Sequence, residues 1–273
     1  MVEKLVSLDW VAEHAADPGV RLVEVDVDTE AYAEGHISGA VGWNWTTQLQ
    51  DQRRRDILSR EGIEELLAAS GIGNDTHVVL YGDNNNWFAA YALWQLELYG
   101  HERASLMDGG RVKWLAEGRP LTTEVPEPAR ASYRAGEADP ALRAKRDDVL
   151  SALASGTQLV DVRSPAEFSG EIIAPPGMSE TAQRGGHIPG ARSIPWARAV
   201  SEDGTFRSEQ ELRALYGEAG VRHGDSTIVY CRIGERSSHT WFVLKHLLGY
   251  GDVRNYDGSW TEYGSLIDVP IER

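Results

Sequence analysis

The sequence predicts an α/β protein of two tandem domains, each an open, mostly parallel sheet flanked by helices. Three observations predict it: the chain is written twice, short apolar runs alternate with helical patterns, and the helical patterns stop at glycines. Leu22-Val23-Glu24-Val25-Asp26 matches Leu159-Val160-Asp161-Val162-Arg163, and His36-Ile37-Ser38-Gly39-Ala40 matches His187-Ile188-Pro189-Gly190-Ala191. A longer stretch keeps one offset of 149, pairing Gly71 with Gly220, Tyr81 with Tyr230, Gly100 with Gly249 and Asp108 with Asp257. Two copies at so long a period mean duplicated domains and not a solenoid.

In chain order, Leu22 to Val25 and Val78 to Tyr81 are near-continuous apolar runs, as expected of strands buried on both faces. Phe88 to Tyr99 reads as a helix ending at Gly100, where glycine tolerates a left-handed backbone. Residues 119–143, with Pro120, Pro126 and Pro128 and little apolar periodicity, read as an interdomain linker between domains at 1–118 and 144–273. Leu159 to Val162 opens the strand pattern again. The offset between matched pairs then grows from 137 to 151, so the second copy carries 14 extra residues near Glu171 to Gly185, which read as a surface loop. Thr227 to Tyr230 is a further buried strand, and Ser237 to Leu248 is a helix ending at Gly249.

Composition excludes several function classes. With 27 basic and 42 acidic residues, the net charge of −15 is wrong for a nucleic-acid binder, and no basic amphipathic face suits a membrane surface. Trp87 to Trp94, the longest apolar run, is too short to span a bilayer. The N-terminal residues show no apolar stretch of the secretory kind, and the single cysteine permits no internal disulfide, so a cytoplasmic location is expected. The eight histidines lack metal-ligand spacing, and neither a metal nor another cofactor is expected. His36 and His187 recur in both copies, which points to structural hydrogen bonding; His239 reads as a packed residue. Arg53-Arg54-Arg55 reads as a solvated turn.

The lone cysteine lies in Tyr230-Cys231-Arg232-Ile233-Gly234-Glu235-Arg236-Ser237, between a strand end and a helix start. Ligands of open α/β sheets bind at that edge. A lone cysteine is most commonly a small buried hydrophobe; two arginines on one short glycine-containing loop favour a reactive one. A helix beginning near Arg236 or Ser237 would aim its amides at the sulfur, Arg232 and Arg236 would add positive charge, and Gly234 would let the backbone form an anion nest. On that expectation the field alone holds the thiol ionised, with Glu235 opposing unless it faces solvent or pairs with an arginine. Ser237 and Ser238 are expected to cap the helix. At the fixed offset Gly82 stands in place of Cys231, and Asp83-Asn84-Asn85-Asn86-Trp87 replaces Arg232 to Arg236, so the first copy has no nucleophile.

These residues resemble the two-domain rhodaneses, the thiosulfate sulfurtransferases. The resemblance covers nearly the whole chain and includes Tyr32 to Ala40, Gly186 to Ala191, the Asp108-Gly109-Gly110 turn and Tyr256 to Tyr263. It implies two rhodanese-like domains, the second catalytic and the first helping to wall the cleft, with Trp196, Trp87 and Phe88 as candidates for the apolar wall. It implies that Cys231 attacks the outer sulfur of thiosulfate, sulfite leaves, and the Cys231 persulfide passes its sulfur to cyanide or a thiol, a thioredoxin-like protein included. Arg236 would bind the sulfonate with help from Arg232, and the backbone amides of Arg232, Ile233, Gly234, Glu235, Arg236 and Ser237 would hold the persulfide. One departure stands out: where some animal members place a substrate-binding arginine, this chain has Glu167.

Three other readings remain. Related phosphatases resemble Cys-x5-Arg, a wider ring than the Cys-x4-Arg found here. The mercaptopyruvate branch resembles this chain less, because it carries small neutral residues after the cysteine, whereas Arg232 and Arg236 favour a dianion. A non-enzymatic sulfur carrier or redox module would use the same thiol without turnover.

Overall fold

The computed structural model describes residues 2–26, 29–177 and 181–273. The chain divides into two compact units, Met1–Asp139 with Glu202–Phe206, and Pro140–Ser201 with Arg207–Arg273.

The first unit is built on β1 (Leu5–Val6), β2 (Val20–Asp26), β3 (Val41–Asn44), β4 (His77–Tyr81) and β5 (Ala104–Met107). They form one five-stranded sheet in the order β1-β5-β4-β2-β3, with every pairing parallel. The second unit repeats this with β6 (Arg143–Ala144), β7 (Gln158–Asp161), β8 (Arg192–Ser193), β9 (Thr227–Tyr230) and β10 (Val253–Tyr256), in the order β6-β10-β9-β7-β8, again all parallel. Parallel neighbours need crossover connections, and helices supply them, so both faces of the central strands are covered. That is why all of β4, β7 and β9 is buried, and why β4 and β9 read as near-continuous apolar runs. The α/β class expected from the sequence is the one observed.

The duplication extends to details. His36 and His187 each form an isolated antiparallel bridge, to Thr122 and Glu272. The His36 ring nitrogens meet the carbonyls of Tyr32 and Glu124 at 2.9 and 3.1 Å, and His187 Nδ1 meets the Phe168 carbonyl at 2.9 Å. Each stacks on an aromatic ring, His36 on Tyr32 four residues before it and His187 on Phe168 of the preceding helix. Tyr81 and Tyr230 both accept a backbone amide on their hydroxyl, from Ile37 and Ile188. These residues hold the strand edges in both units, so their repetition is structural.

The proline-spaced segment is laid along the first unit, with Ala131, Gly136 and Asp139 donating amides to Ala68, Tyr99 and Leu98. The described part of the 171–185 insertion contains no helix or strand. Arg53 and Arg54 donate their amides to Asp51, a turn with exposed arginine side chains. The helix after β4 is Trp87–Leu98, followed by Gly100 at φ 84°, as the glycine stop predicts.

Two boundaries differ from expectation. The helix after Cys231 begins one to two residues earlier, at Glu235, because Gly234 adopts φ 105° and turns the chain tightly enough to start it there. It runs as an α-helix only to Phe242 and continues through Val243–Leu247 as a wider π turn, closed by the Leu248 amide on Val243 O.

Candidate active site

The carboxyl end of β9 delivers Cys231 directly into a short loop, and the helix Glu235–Phe242 follows at once. The loop is pinned by groups from the next strand and turn. Cys231 N donates to Ser259 Oγ at 3.1 Å, and Trp260 and Thr261 return their amides to the carbonyls of Cys231 and Arg232. Asn255, buried on β10, donates to Gly234 O at 3.2 Å and to Ser238 Oγ at 2.8 Å, and accepts from Ser237 Oγ at 2.6 Å. Gly234 has no alternative residue: a Cβ there would lie 2.9 Å from Asp257 Cα. Asp257 in turn is held by a two-pronged bond from Arg143, at 2.8 Å on each oxygen.

The expected nest is present in part. Gly234 N–H points at Sγ of Cys231 across 3.1 Å, and hydrogen bonds from the backbone and side chain of Ser237 also favour the anion. Ile233 is buried. Ser237 and Ser238 do not cap the helix. They lie inside it and turn their hydroxyls back onto Gly234 O, at 3.1 and 2.8 Å.

The electrostatic expectation fails. Cys231 is fully buried, and burial is the largest influence on its thiol, pushing it above the ordinary value. The Glu235 carboxylate adds to that rise, and Arg236 and Ser237 only partly oppose it. Glu235 faces away from solvent and pairs loosely with both arginines: it is buried, its Oε2 accepts from Sγ at 3.4 Å, and its Oε1 lies 3.7 Å from Arg236 Nε and 4.0 Å from Arg232 Nη2. The resting sulfur is therefore a thiol hydrogen-bonded to a carboxylate, and no field holds it ionised.

Arg236 is likewise engaged. Its Nη1 and Nη2 meet Glu167 Oε2 and Oε1 at 3.0 and 3.1 Å, with the side chains 8% and 0% exposed. Burial alone would lower the guanidinium's pKa, but the hydrogen bonds to Glu167 and the nearby Cys231 and Glu235 raise it instead. Burial pushes the Glu167 carboxyl up, and Arg236 with the Ser164 amide more than reverses this, leaving it below the usual carboxylate range. Glu167 also closes a capping box with Ser164 at the start of the helix Pro165–Ser169. Beside it Arg163, buried, chelates Asp161 at 2.6–3.1 Å, donates to Gly186 O and lies over the Trp260 ring at 4.6 Å.

Sequence reasoning missed Asn255, Ser259 and the Glu167–Arg236 pair. The signal that finds the first two is contrast between the copies. Ser237, Asn255 and Ser259 are polar where the first copy has Phe88, Leu106 and Gly110. Of the aromatic residues considered for an apolar wall, Phe88 is buried and stacked on Trp45 at 4.8 Å, and Trp196 meets His239 edge-on at 5.7 Å. His239 is buried, and burial lowers its pKa to about 3, which keeps it neutral and structural.

The first unit's counterpart loop is refilled with its own side chain. Asn84, Asn85 and Asn86 all have left-handed backbones, with φ of 47°, 53° and 63°. Asn86 Oδ1 accepts from Gly82 N, the amide matching that of Cys231, and its Nδ2 donates to Met107 O. Gly110, at the position of Ser259, leaves room for it: a Cβ there would be 2.4 Å from Asn86 Oδ1.

Among the described residues, no group of three or more His, Cys, Asp or Glu side chains could hold a metal ion, and no helix is long and apolar enough to cross a membrane.

The second of two parallel α/β units thus carries a cysteine on its strand-to-helix loop where the first carries Gly82. The rhodanese-like domain model matches residues 7–117 and 145–266, so the chain belongs to the rhodanese family and carries that domain twice. A Haloferax volcanii protein named "Putative thiosulfate sulfurtransferase" is 58% identical over 98% of this chain and 96% of its own length. The sulfur carrier protein TtuD of Thermus thermophilus is 54% identical over 99% of this chain and 97% of its own. The crystal structure of SseA from Escherichia coli, a 3-mercaptopyruvate sulfotransferase, superposes with a TM-score of 0.82 at 28% identity, covering 95% of this chain and 99% of that one.

Proposed function

We propose that this chain is a sulfurtransferase that carries sulfur as a Cys231 persulfide, drawing it from thiosulfate with release of sulfite and passing it to cyanide or a thiol. The observation that carries the reading is the contact of Cys231 Sγ with the Gly234 amide at 3.1 Å, on a rigid loop at the carboxyl edge of the sheet. In the first step Sγ bonds to the outer sulfur of thiosulfate. The sulfur–sulfur bond of the donor breaks with its electron pair on sulfite, and the thiol proton passes to Glu235, the carboxylate already accepting it at 3.4 Å. In the second step the acceptor takes the outer sulfur, and the proton returns from Glu235 to Sγ. The Gly234 amide and the hydrogen bonds from Ser237 stabilise the persulfide anion between the steps, while the charges of Arg232 and Arg236 are offset by Glu235 and Glu167. The reading includes a cytoplasmic location, supported by the lone free thiol, and a small thiol or a thioredoxin-like protein as acceptor. The thiosulfate sulfurtransferase name of its relatives supports the donor.

A second reading, a sulfur carrier without multiple turnover, is supported by the name of the Thermus relative. One set of measurements separates them. Intact mass after thiosulfate treatment is expected to rise by one sulfur atom in the wild type and not in Cys231→Ser, with sulfite and thiocyanate released catalytically. Stoichiometric loading without turnover selects the carrier, and equal sulfite release by both proteins overturns both readings.

A further inference from the structure

The two arginines of the Cys231 loop stand against two carboxylates. Arg236 makes the parallel fork to Glu167 at 3.0 and 3.1 Å, and Glu235 lies 3.7 Å from Arg236 Nε and 4.0 Å from Arg232 Nη2. The sulfur between them is a neutral thiol at rest. The site therefore has no surplus positive charge, although its sequence reads as cationic. The cost of desolvating an ion grows with the square of its charge, so a neutral buried site penalises a dianion more than a monoanion. Arg236 repays less of that cost while the Glu167 carboxylate offsets its charge, and the fork geometry makes this the strongest pairing available to it. Glu167 cannot easily withdraw, because Ser164 N and Oγ hold its Oε2 at 3.1 and 3.0 Å.

We infer that Glu167 is a specificity-determining residue that withholds Arg236 from the donor, so that the Cys231 loop favours monoanionic sulfur donors over dianionic ones. The inference rests on the reading of Cys231 as the sulfur-accepting nucleophile and refines the substrate class of that site.

The test compares thiosulfate, a dianion, with 3-mercaptopyruvate, a monoanion, in wild type and Glu167→Gln. Glutamine keeps the capping box, which accepts Glu or Gln, and keeps one oxygen for Arg236. The ratio of kcat/KM for thiosulfate to that for 3-mercaptopyruvate is expected to rise on the order of tenfold, through a lower thiosulfate KM with kcat nearly unchanged. A ratio that stays level or falls in folded Glu167→Gln overturns the inference. Should that variant not fold, wild-type inhibition decides: the dianion sulfate is expected to bind no more tightly than the monoanion methanesulfonate, and tighter sulfate binding by tenfold or more overturns the inference. The two readings fail separately. No sulfur gain on Cys231 from thiosulfate sinks the thiosulfate assignment and leaves the charge preference standing on the inhibitor comparison.

Discussion

Cys231 Sγ donates a hydrogen bond to Glu235 Oε2 at 3.4 Å, inside a loop where both residues are buried. The thiol is thus placed beside a negative charge, the opposite of what lowers a cysteine pKa. The same contact gives its proton a destination during sulfur transfer. A nucleophile on a proton acceptor that is itself flanked by Arg232 and Arg236 follows the logic of a triad, with the arginines orienting the carboxylate.

Replacing Glu235 by Gln removes that charge. The thiol then becomes more acidic, and alkylation of Cys231 by iodoacetamide at pH 7 is expected to speed up roughly three- to tenfold through a larger thiolate fraction. The pH–rate profile of alkylation checks it: the rising limb, displaced upward in the wild type by burial and Glu235, should move down. An unmoved limb contradicts the charge argument.

Gly234→Ala is expected to lower both stability and sulfur loading. The residue sits at φ 105°, and its new methyl would press on Asp257 Cα at 2.9 Å. Positive φ costs on the order of 1–2 kcal/mol for an L-residue before any clash is counted. Urea denaturation reads the first loss, and persulfide formation followed by mass reads the second.

Asn255→Leu, the residue of the first copy, should remove the amide that ties Ser237 and Ser238 together and leave each hydroxyl with Gly234 O alone. Each hydrogen bond lost costs about 0.5–1.5 kcal/mol. A lower urea midpoint with an unchanged slope is the expected result, and a midpoint equal to wild type would show that the Asn255 bonds add nothing to stability.

Asp26 gives the first unit a pH dependence. Burial, then the neighbouring Glu24, raises its carboxyl to about 8, against the pull of the Asp83 amide and Arg111. Between its unfolded value near 4 and that raised value, the folded state binds a proton that the unfolded chain has released. The contribution of Asp26 is therefore full at low pH, is lost as pH rises from about 4 to about 8, and levels off above that. Asp26→Asn, which retains an oxygen for the Asp83 amide, should raise Tm at pH 8 more than at pH 5. Equal shifts at both pH values would show that Asp26 does not titrate in this window.

Much of the architecture was legible because duplication leaves a direct trace in the letters. Leu22–Val25 and Thr227–Tyr230 read as buried strands since parallel sheets covered on both faces tolerate no alternation. The position of Cys231 followed from that strand and the helix after it. Its ionisation state did not, because that depends on which way Glu235 turns and how deeply the sulfur sits, and neither is written in spacing. Arg236 looked available for the same reason: Glu167 lies 69 residues away in the chain and meets it only after the sheet has formed. Asn255 reads as an ordinary strand residue until its copy partner Leu106 is set beside it.

The refilled loop of the first unit bears on the history of the chain. A methylene at Gly82 would come within 2.2 Å of Val25 O, and the space a catalytic turn would need is taken by the Asn86 amide. Regaining a sulfur there would require at least two coordinated replacements, each harmful alone. The first unit therefore resists gaining a thiol one substitution at a time, and its surface is left open to change that the Cys231 loop would not tolerate.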